Sequence, residues 1–268
     1  MWPIVSLFVP TLRLDIAYNG AGFAGWAAQP GLRTVQEELE RALERVLGER
    51  PRLTVAGRTD AGVHAWGQVA SLGLADEPPE ALGRALNGLT GDDIAVLAAA
   101  RAPDGFDARR DARSRTYCYR VLAGSVQSPF ELGLSLFWPH RVYPGLLERC
   151  AEQLLGTHDF TAFTPTETEH VRFEREILRA EWRRGRTLGP EGRTIATGDL
   201  ALLEFWIEAD AFMRNMVRVL IGTMLEVAGG RRSLEDFAAL LDGAPRERAG
   251  DTAHAQGLYL ASVRYEGA

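Results

Sequence analysis

The chain has 268 residues, with 30 basic residues that are all Arg, 36 acidic residues and a net charge of −6, which argues against an indiscriminate nucleic-acid coat. Its apolar fraction of 46% and charged fraction of 25% are typical of a globular protein of one large or two moderate domains, and argue against a disordered chain. The only two cysteines, Cys118 and Cys150, form no CxxC pair and the five histidines are scattered, which disfavours a disulfide framework and a metal site.

The first hundred residues predict a β-α-β-β-α-β order. Residues 1–9 are apolar but short and lack a basic leader, so we expect neither a signal peptide nor a membrane span. We expect the protein to be cytoplasmic. Thr34 and Glu37 form a capping box that opens a helix. The predicted elements are a strand over 12–17, a Gly-rich loop over 18–26, a helix over 34–48, two strands around a loop at 55–65, a helix over 79–88 and a strand over 94–100.

The second half of the chain predicts a further set of strands and helices. These are a strand over 116–122, a helix over 144–156, a loop over 157–172, strands over 176–184 and 201–209, helices over 213–228 and 233–241, and a strand over 259–265. Residues 185–199 are expected to be a hairpin or a flexible segment. The basic stretch 101–114 is the best boundary, which gives halves of 1–108 and 109–268.

Two glycines bracket an arginine and an aspartate in the loop between the predicted strands. Because Gly57 and Gly62 allow positive φ and close approach of a ligand, the loop is suited to present Arg58 and Asp60 outward. The alternative is an Asx-type turn in which Asp60 bonds its own backbone amides.

Arginines and tyrosines elsewhere supply possible partners. In the predicted helix 213–228, Arg214 falls inside the apolar stripe and Arg218 about 20° beyond its edge, so both need an anion, with Asp60 or a structural ion pair as candidates. Tyr117 and Tyr119 lie on one face of a strand within the Arg-rich stretch 101–120. This arrangement suits base stacking with phosphate contact, although core packing explains the rings equally well.

The blocks of motifs along the chain resemble those of the tRNA pseudouridine synthase A family. The loop Gly57-Arg58-Thr59-Asp60-Ala61-Gly62-Val63-His64-Ala65 looks like its catalytic signature. Five further blocks match along the chain in the family's order: Tyr18-Asn19-Gly20 with Gly25-Trp26 before this loop, and after it Ala108-Arg109 with Ser114 to Tyr119, His158 to Phe163, Phe212 to Arg218, and Gly257 to Leu260. Asn19, Ala27, Asp107 and His254 depart from the family's usual residues.

The resemblance implies an α+β fold of two ferredoxin-like halves, joined through a central, mostly antiparallel sheet with a cleft between them. It implies a homodimer that uses no cofactor or metal and converts uridines at positions 38 to 40 of the tRNA anticodon stem-loop to pseudouridine. Asp60 matches the catalytic aspartate, Arg58 the arginine beside the flipped nucleotide, Tyr117 the tyrosine against the target base and Arg218 the residue that pairs with the aspartate. Whether the aspartate attacks the sugar or takes a proton from it stays open. Arg109, Arg115 and Arg214 are expected to bind RNA.

Two other functions compete with this hypothesis. The first is a catalytically silent RNA-binding module or tRNA chaperone on the same fold, against which the complete set of Arg58, Asp60, Tyr117 and Arg218 argues. The second is a metal-dependent hydrolase that uses Asp60 and His64, which the lack of a ligand cluster disfavours.

Overall fold

The computed structural model describes residues 10–74, 77–168, 171–186 and 201–266. The chain divides into two compact units, one formed by residues 1–113 and 260–268 and the other by residues 114–259. Both units combine helices with a mostly antiparallel sheet, so the protein is a mixed α+β protein. Most of the predicted segment 185–199 lies outside the described residues.

The first unit has the β-α-β-β-α-β order that the sequence predicts. Its elements are β1 (Thr11–Tyr18), α1 (Val35–Leu47), β2 (Thr54–Val55), β3 (His64–Gly73), α2 (Leu82–Asn87) and β4 (Ile94–Ala102). Strand β1 lies between β4 and β3 and is antiparallel to both, and β2 pairs antiparallel with β3. The last strand of the chain, β10 (Leu258–Arg264), follows β3 in the strand order.

Alternating apolar residues hold this unit together. Leu12, Leu14 and Ile16 are fully buried on one face of β1, together with Leu39 and Leu43 of α1. The hydroxyl of Thr34 accepts a hydrogen bond from the amide of Glu37 at the start of α1, as the capping box predicts. The buried residues of the helix and the strand are therefore those that the periodicity selects.

The second unit contains the remaining elements. They are β5 (Ser114–Ala123), β6 (Leu136–Trp138), α3 (Pro144–Gln153), β7 (Gly156–Asp159), β8 (Glu174–Arg184), β9 (Ala201–Ala209), α4 (Met216–Ala228) and α5 (Leu234–Ala238). The strands run in the order β5-β9-β8-β7 with antiparallel neighbours, and the short β6 pairs parallel with β5. Helix α4 packs against α3 and β5 and buries Leu220 and Met224 completely.

Several predicted boundaries are wrong. Residues 156–159, expected within a helix end and a loop, form β7, whose pairing with β8 is a tertiary contact that local patterns do not encode. The helices predicted over 79–88, 144–156 and 233–241 are shorter, and the last of them ends in a 3₁₀ turn. The helix predicted over 213–228 begins only at Met216, because Asn215 takes a left-handed conformation with φ of 60°.

The longest helices in the described ranges, α1 and α4, have 13 residues each, whereas a helical membrane span needs about 20 apolar residues. No helix of the described part of the chain meets that requirement.

The close packing of α4 on the following loop yields a stability prediction. A Cβ atom at Gly222 would lie 1.9 Å from the carbonyl oxygen of Asp251, so Gly222→Ala forces backbone apart and is expected to lower the free energy of unfolding by about 1 to 3 kcal/mol. Gly145 in α3 has open space around its Cα, so Gly145→Ala is the matched control and is expected to stabilise by about 0.5 to 1 kcal/mol. Urea unfolding of both variants measures the difference, and equal midpoints would contradict the close approach.

Candidate active site

The loop that carries Asp60, residues 57–63, connects β2 to β3 and is here called the Asp60 loop. Arg58 is exposed and Asp60 is half-buried, whereas Thr59 between them is only 6% exposed. The amide of Val63 donates to the carbonyl oxygen of Asp60 at 3.1 Å, and Gly62 has φ of 77°, which closes a turn directly after the aspartate. The loop thus buries its threonine, exposes its arginine and leaves its aspartate partly accessible.

A second loop, residues 19–26, lies against the Asp60 loop and is here called the aromatic loop. The amide of Trp26 donates to the carbonyl of Thr59 at 3.0 Å, and the amide of Gly62 donates to the carbonyl of Phe23 at 3.3 Å. A Cβ atom on Gly25, whose φ is 100°, would lie 2.8 Å from the Thr59 carbonyl oxygen. Glycine is therefore required there by the approach of two backbones.

His64 also joins the two loops. The amide of Gly20 donates to Nδ1 of His64 at 3.0 Å, and the histidine side chain is buried. Since Nδ1 accepts this bond, it carries no proton, and the ring acts as a structural acceptor. Within the described residues, no group of three or more His, Cys, Asp or Glu side chains could hold a metal ion.

Thr59 of the Asp60 loop and two polar side chains of the neighbouring strands, Tyr18 and Gln68, are buried together. The hydroxyls of Tyr18 and Thr59 are 2.7 Å apart, and Nε2 of Gln68 donates to the carbonyl oxygen of Gly57 at 2.7 Å and to the Tyr18 hydroxyl at 3.4 Å. Burial raises the pKa of Tyr18 to about 12, so the group remains a neutral hydroxyl that can donate. No local pattern in the sequence assigns a role to Tyr18 or Gln68, although Tyr18 stands inside one of the family-like motifs.

In the second unit, Tyr117 lies on β5 opposite Ile207 of β9 and is 9% exposed. Its ring meets that of Phe212 edge to face, with centroids 4.9 Å apart. Tyr119 follows on the same face and is fully buried, and its hydroxyl donates to the carbonyl of His254 at 2.7 Å. Of the two tyrosines on this face, Tyr117 is the less completely buried.

Arg218 lies in the first turn of α4 and is half-buried. Its Nε donates to the carbonyl of Ala253 at 2.7 Å, and Nη1 donates to Oδ1 of Asn215 at 3.0 Å. The carbonyl of Arg218 in turn accepts from the amide of Ala253 at 3.1 Å. These contacts fix the plane of the guanidinium, which can then present a defined edge to an anion.

The other predicted arginines differ in their surroundings. Arg214 precedes α4 and is exposed, so its expected place in the apolar stripe of a helix is wrong; the late start of the helix at Met216 is the reason. Arg115 is half-buried and its Nη1 donates to the carbonyl of Asp210 at 3.1 Å. Arg109 is exposed in a turn where its amide donates to Oδ1 of Asp107 at 2.9 Å.

The predicted site residues therefore fall into two groups. Arg58, Asp60 and Arg109 belong to the first unit, and Arg115, Tyr117, Arg214 and Arg218 belong to the second. The expected pairing of Asp60 with Arg218 joins the two units and stays a prediction. Taken singly, the first group can supply a carboxylate with a neighbouring cation, and the second an aromatic ring, a fixed guanidinium and further cations.

Comparison with known proteins bears on this chemistry. A family model described as tRNA pseudouridine synthase matches residues 16–110 and 150–266, which include Arg58, Asp60 and Arg218, whereas Tyr117 lies between the matched segments. A protein of Frankia casuarinae named tRNA pseudouridine synthase A is 43% identical over 257 residues, covering 95% of this chain and 89% of its own length.

Relatives from two other organisms carry the same name. The protein of Myxococcus xanthus is 40% identical over 260 residues, covering 96% of this chain and 92% of its own length. The protein of Geobacillus kaustophilus is 38% identical over 260 residues, covering 95% of this chain and 94% of its own length. By the extent of the family match and the identity to these relatives, the chain belongs to the tRNA pseudouridine synthase family.

Proposed function

We propose that the protein isomerises uridine to pseudouridine in tRNA, at positions 38 to 40 of the anticodon stem-loop, with Asp60 as the catalytic carboxylate. The observation that carries this proposal is the build of the Asp60 loop, within the segment that matches the family. Its threonine is buried, whereas the arginine before that threonine is exposed and the aspartate after it is half-buried.

The reaction sets the requirements for the site. The bond between C1′ of the ribose and N1 of uracil breaks, the base rotates, and C1′ joins C5; the C5 proton is lost and N1 gains one. No atoms enter or leave in total, so the residues must supply charge and position only. An ionised carboxylate beside the sugar–base junction meets this need, and Asp60 is the candidate.

The remaining residues take roles around the extruded nucleotide. Removing the base from the stack costs a few kcal/mol, and Arg58, which is exposed beside Asp60, can occupy the vacated space. Tyr117 packs against the extruded uracil, and Arg218 pairs with Asp60 and keeps it oriented. Arg109, Arg115 and Arg214 bind phosphates of the folded RNA, whose shape contributes much of the selectivity.

The wider proposal follows the family resemblance. The two units are ferredoxin-like halves, the first carrying the Asp60 loop and the second Tyr117 and Arg218, and the enzyme works in the cytoplasm without a cofactor.

The test of the function is incubation of the protein with unmodified tRNA transcripts, followed by mapping of pseudouridine. We expect product at positions 38 to 40 with the wild type and none with Asp60→Asn, because the neutral amide cannot replace the carboxylate, while the affinity for tRNA changes little. Asp15→Asn, which removes a half-buried carboxylate of β1 paired with Arg13, is the control and is expected to keep the activity. Tight tRNA binding by the wild type with no product would favour the silent RNA-binding module instead.

Arg218 offers a second test. Lysine keeps the charge but cannot reproduce the two contacts of Nε and Nη1 that fix the guanidinium, so Arg218→Lys is expected to lower the rate at saturating tRNA by about ten-fold or more. Arg232→Lys is the matched control, since Arg232 makes two contacts of its own with Glu226 at 3.0 Å. Single-turnover rates of pseudouridine formation compare the two variants. Equal rates would remove Arg218 from the proposed site.

The homodimer is the last part of the proposal. A dimer predicts a mass of about twice 29.4 kDa in light scattering at micromolar concentration. A stable monomer that still modifies tRNA would show that one chain suffices.

A further inference from the structure

The contact between Tyr18 and Thr59 is made by two side chains that have almost no access to solvent. Tyr18 is 5% exposed, Thr59 is 6% exposed, and Gln68, which bonds the Tyr18 hydroxyl from β3, is fully buried. Tyr18 ends β1 and Thr59 stands 41 residues later in the Asp60 loop. A side-chain contact over such a distance in sequence fixes the loop to the sheet rather than to itself.

The cost of breaking this contact is high because all its members are buried. A hydroxyl that loses its hydrogen bond away from water costs about 1 to 3 kcal/mol. Rotating Thr59 outward would leave the Tyr18 hydroxyl with only the longer bond from Gln68 at 3.4 Å. The inward orientation of Thr59 is therefore strongly preferred.

The orientation of Thr59 determines that of its neighbours. Arg58 and Asp60 are the residues directly before and after it, and neither is buried. Nε2 of Gln68 donates to the carbonyl of Gly57, the residue before Arg58. The amide of Trp26 donates to the carbonyl of Thr59. With Gly57 and Thr59 both anchored, the backbone at Arg58 and Asp60 has little freedom left.

We propose that Tyr18 and Gln68 are positioning residues of the Asp60 loop: through the Thr59 hydroxyl and the Gly57 carbonyl they hold the carboxylate of Asp60 where it meets the ribose. The catalytic part of this inference rests on the proposed function. Its structural part, that the buried hydroxyl pair orders the loop, does not.

The kinetic test removes single hydroxyls. Tyr18→Phe keeps the ring and its contact with Trp26, at 6.1 Å between centroids, and deletes only the hydroxyl. We expect the rate at saturating tRNA to fall by about ten-fold or more, with little change in the tRNA concentration that gives half-maximal rate, since a 1 Å misplacement of a reacting group can cost about 100-fold in rate.

The matched control deletes a hydroxyl elsewhere in the same unit. Tyr265 is 6% exposed, close to the 5% of Tyr18, and its hydroxyl donates to the carbonyl of Ala108 at 2.7 Å, the same length as the Tyr18–Thr59 bond. Tyr265→Phe is expected to lose comparable stability but to keep the wild-type rate. Equal loss of rate in both variants, measured where each is fully folded, would reduce Tyr18 to a general contributor to stability.

Substitutions at Thr59 show whether its hydroxyl is the link. Thr59→Ser keeps the hydroxyl and is expected to retain most of the activity, whereas the isosteric Thr59→Val is expected to be as slow as Tyr18→Phe. Tyr18→Phe and Thr59→Val remove the same hydrogen bond. The variant that carries both changes should therefore be little slower than either single variant. Multiplied rate losses in the double variant would overturn the proposal.

Hydrogen exchange gives a measurement that does not depend on catalysis. The amides of Trp26, Gly62 and Val63 bond across or within the Asp60 loop, and we expect Tyr18→Phe and Thr59→Val to speed their exchange while Tyr265→Phe does not. If the wild type forms no pseudouridine, the proposed function fails, and faster exchange at these amides still supports the ordering of the loop. Unchanged exchange in both variants overturns the proposal in either case.

Discussion

A buried hydrogen bond between Tyr18 and Thr59 connects the end of the first strand to the loop that carries Asp60. Around it, the aromatic loop contributes backbone contacts from Trp26 and Phe23, and Gly25 permits the approach. The Gly-rich sequence between β1 and α1 therefore has a clear physical purpose. It forms backbone hydrogen bonds with the Asp60 loop, and any side chain at Gly25 would force the two loops apart.

The second unit uses a different method to fix its arginine. Arg218 stands in the first turn of α4, three residues after the left-handed Asn215, and both its side chain and its carbonyl form hydrogen bonds with Ala253. The loop around Ala253 is held close because Gly222 leaves space for the carbonyl of Asp251. In the second unit, the start of a helix and the loop around Ala253 fix the orientation of the guanidinium. In the first unit, a buried pair of hydroxyls anchors the loop that carries the carboxylate.

Local patterns in the sequence predict the elements whose contacts repeat along one face. Strand β1 and helix α1 lie where the alternation and the capping box of Thr34 place them. Strand β7 was missed because its residues, including Gly156 and Asp159, become a strand only by pairing with β8. The apolar pattern places the start of α4 at residue 213, whereas the left-handed backbone of Asn215 delays the helix to Met216, and the pattern carries no sign of this conformation.

The sequence likewise predicts only part of the candidate site. A motif of consecutive residues marks Arg58 and Asp60, and its spacing is visible in the sequence alone. Tyr18 and Gln68 could not be assigned a role in this way, because their partners Thr59 and Gly57 are distant in the chain and ordinary in type. Contacts of this kind are a property of the folded chain rather than of any local pattern.

The buried threonine also has a consequence for how well the loop tolerates substitution. Thr59 is buried, whereas Arg58 before it and Asp60 after it are not. A change of side chain at either of the outer positions leaves the Tyr18–Thr59 hydrogen bond in place, whereas a change that deletes the Thr59 hydroxyl removes it. Within this tripeptide, the residue with the plainest side chain is therefore the one whose replacement affects both charged neighbours.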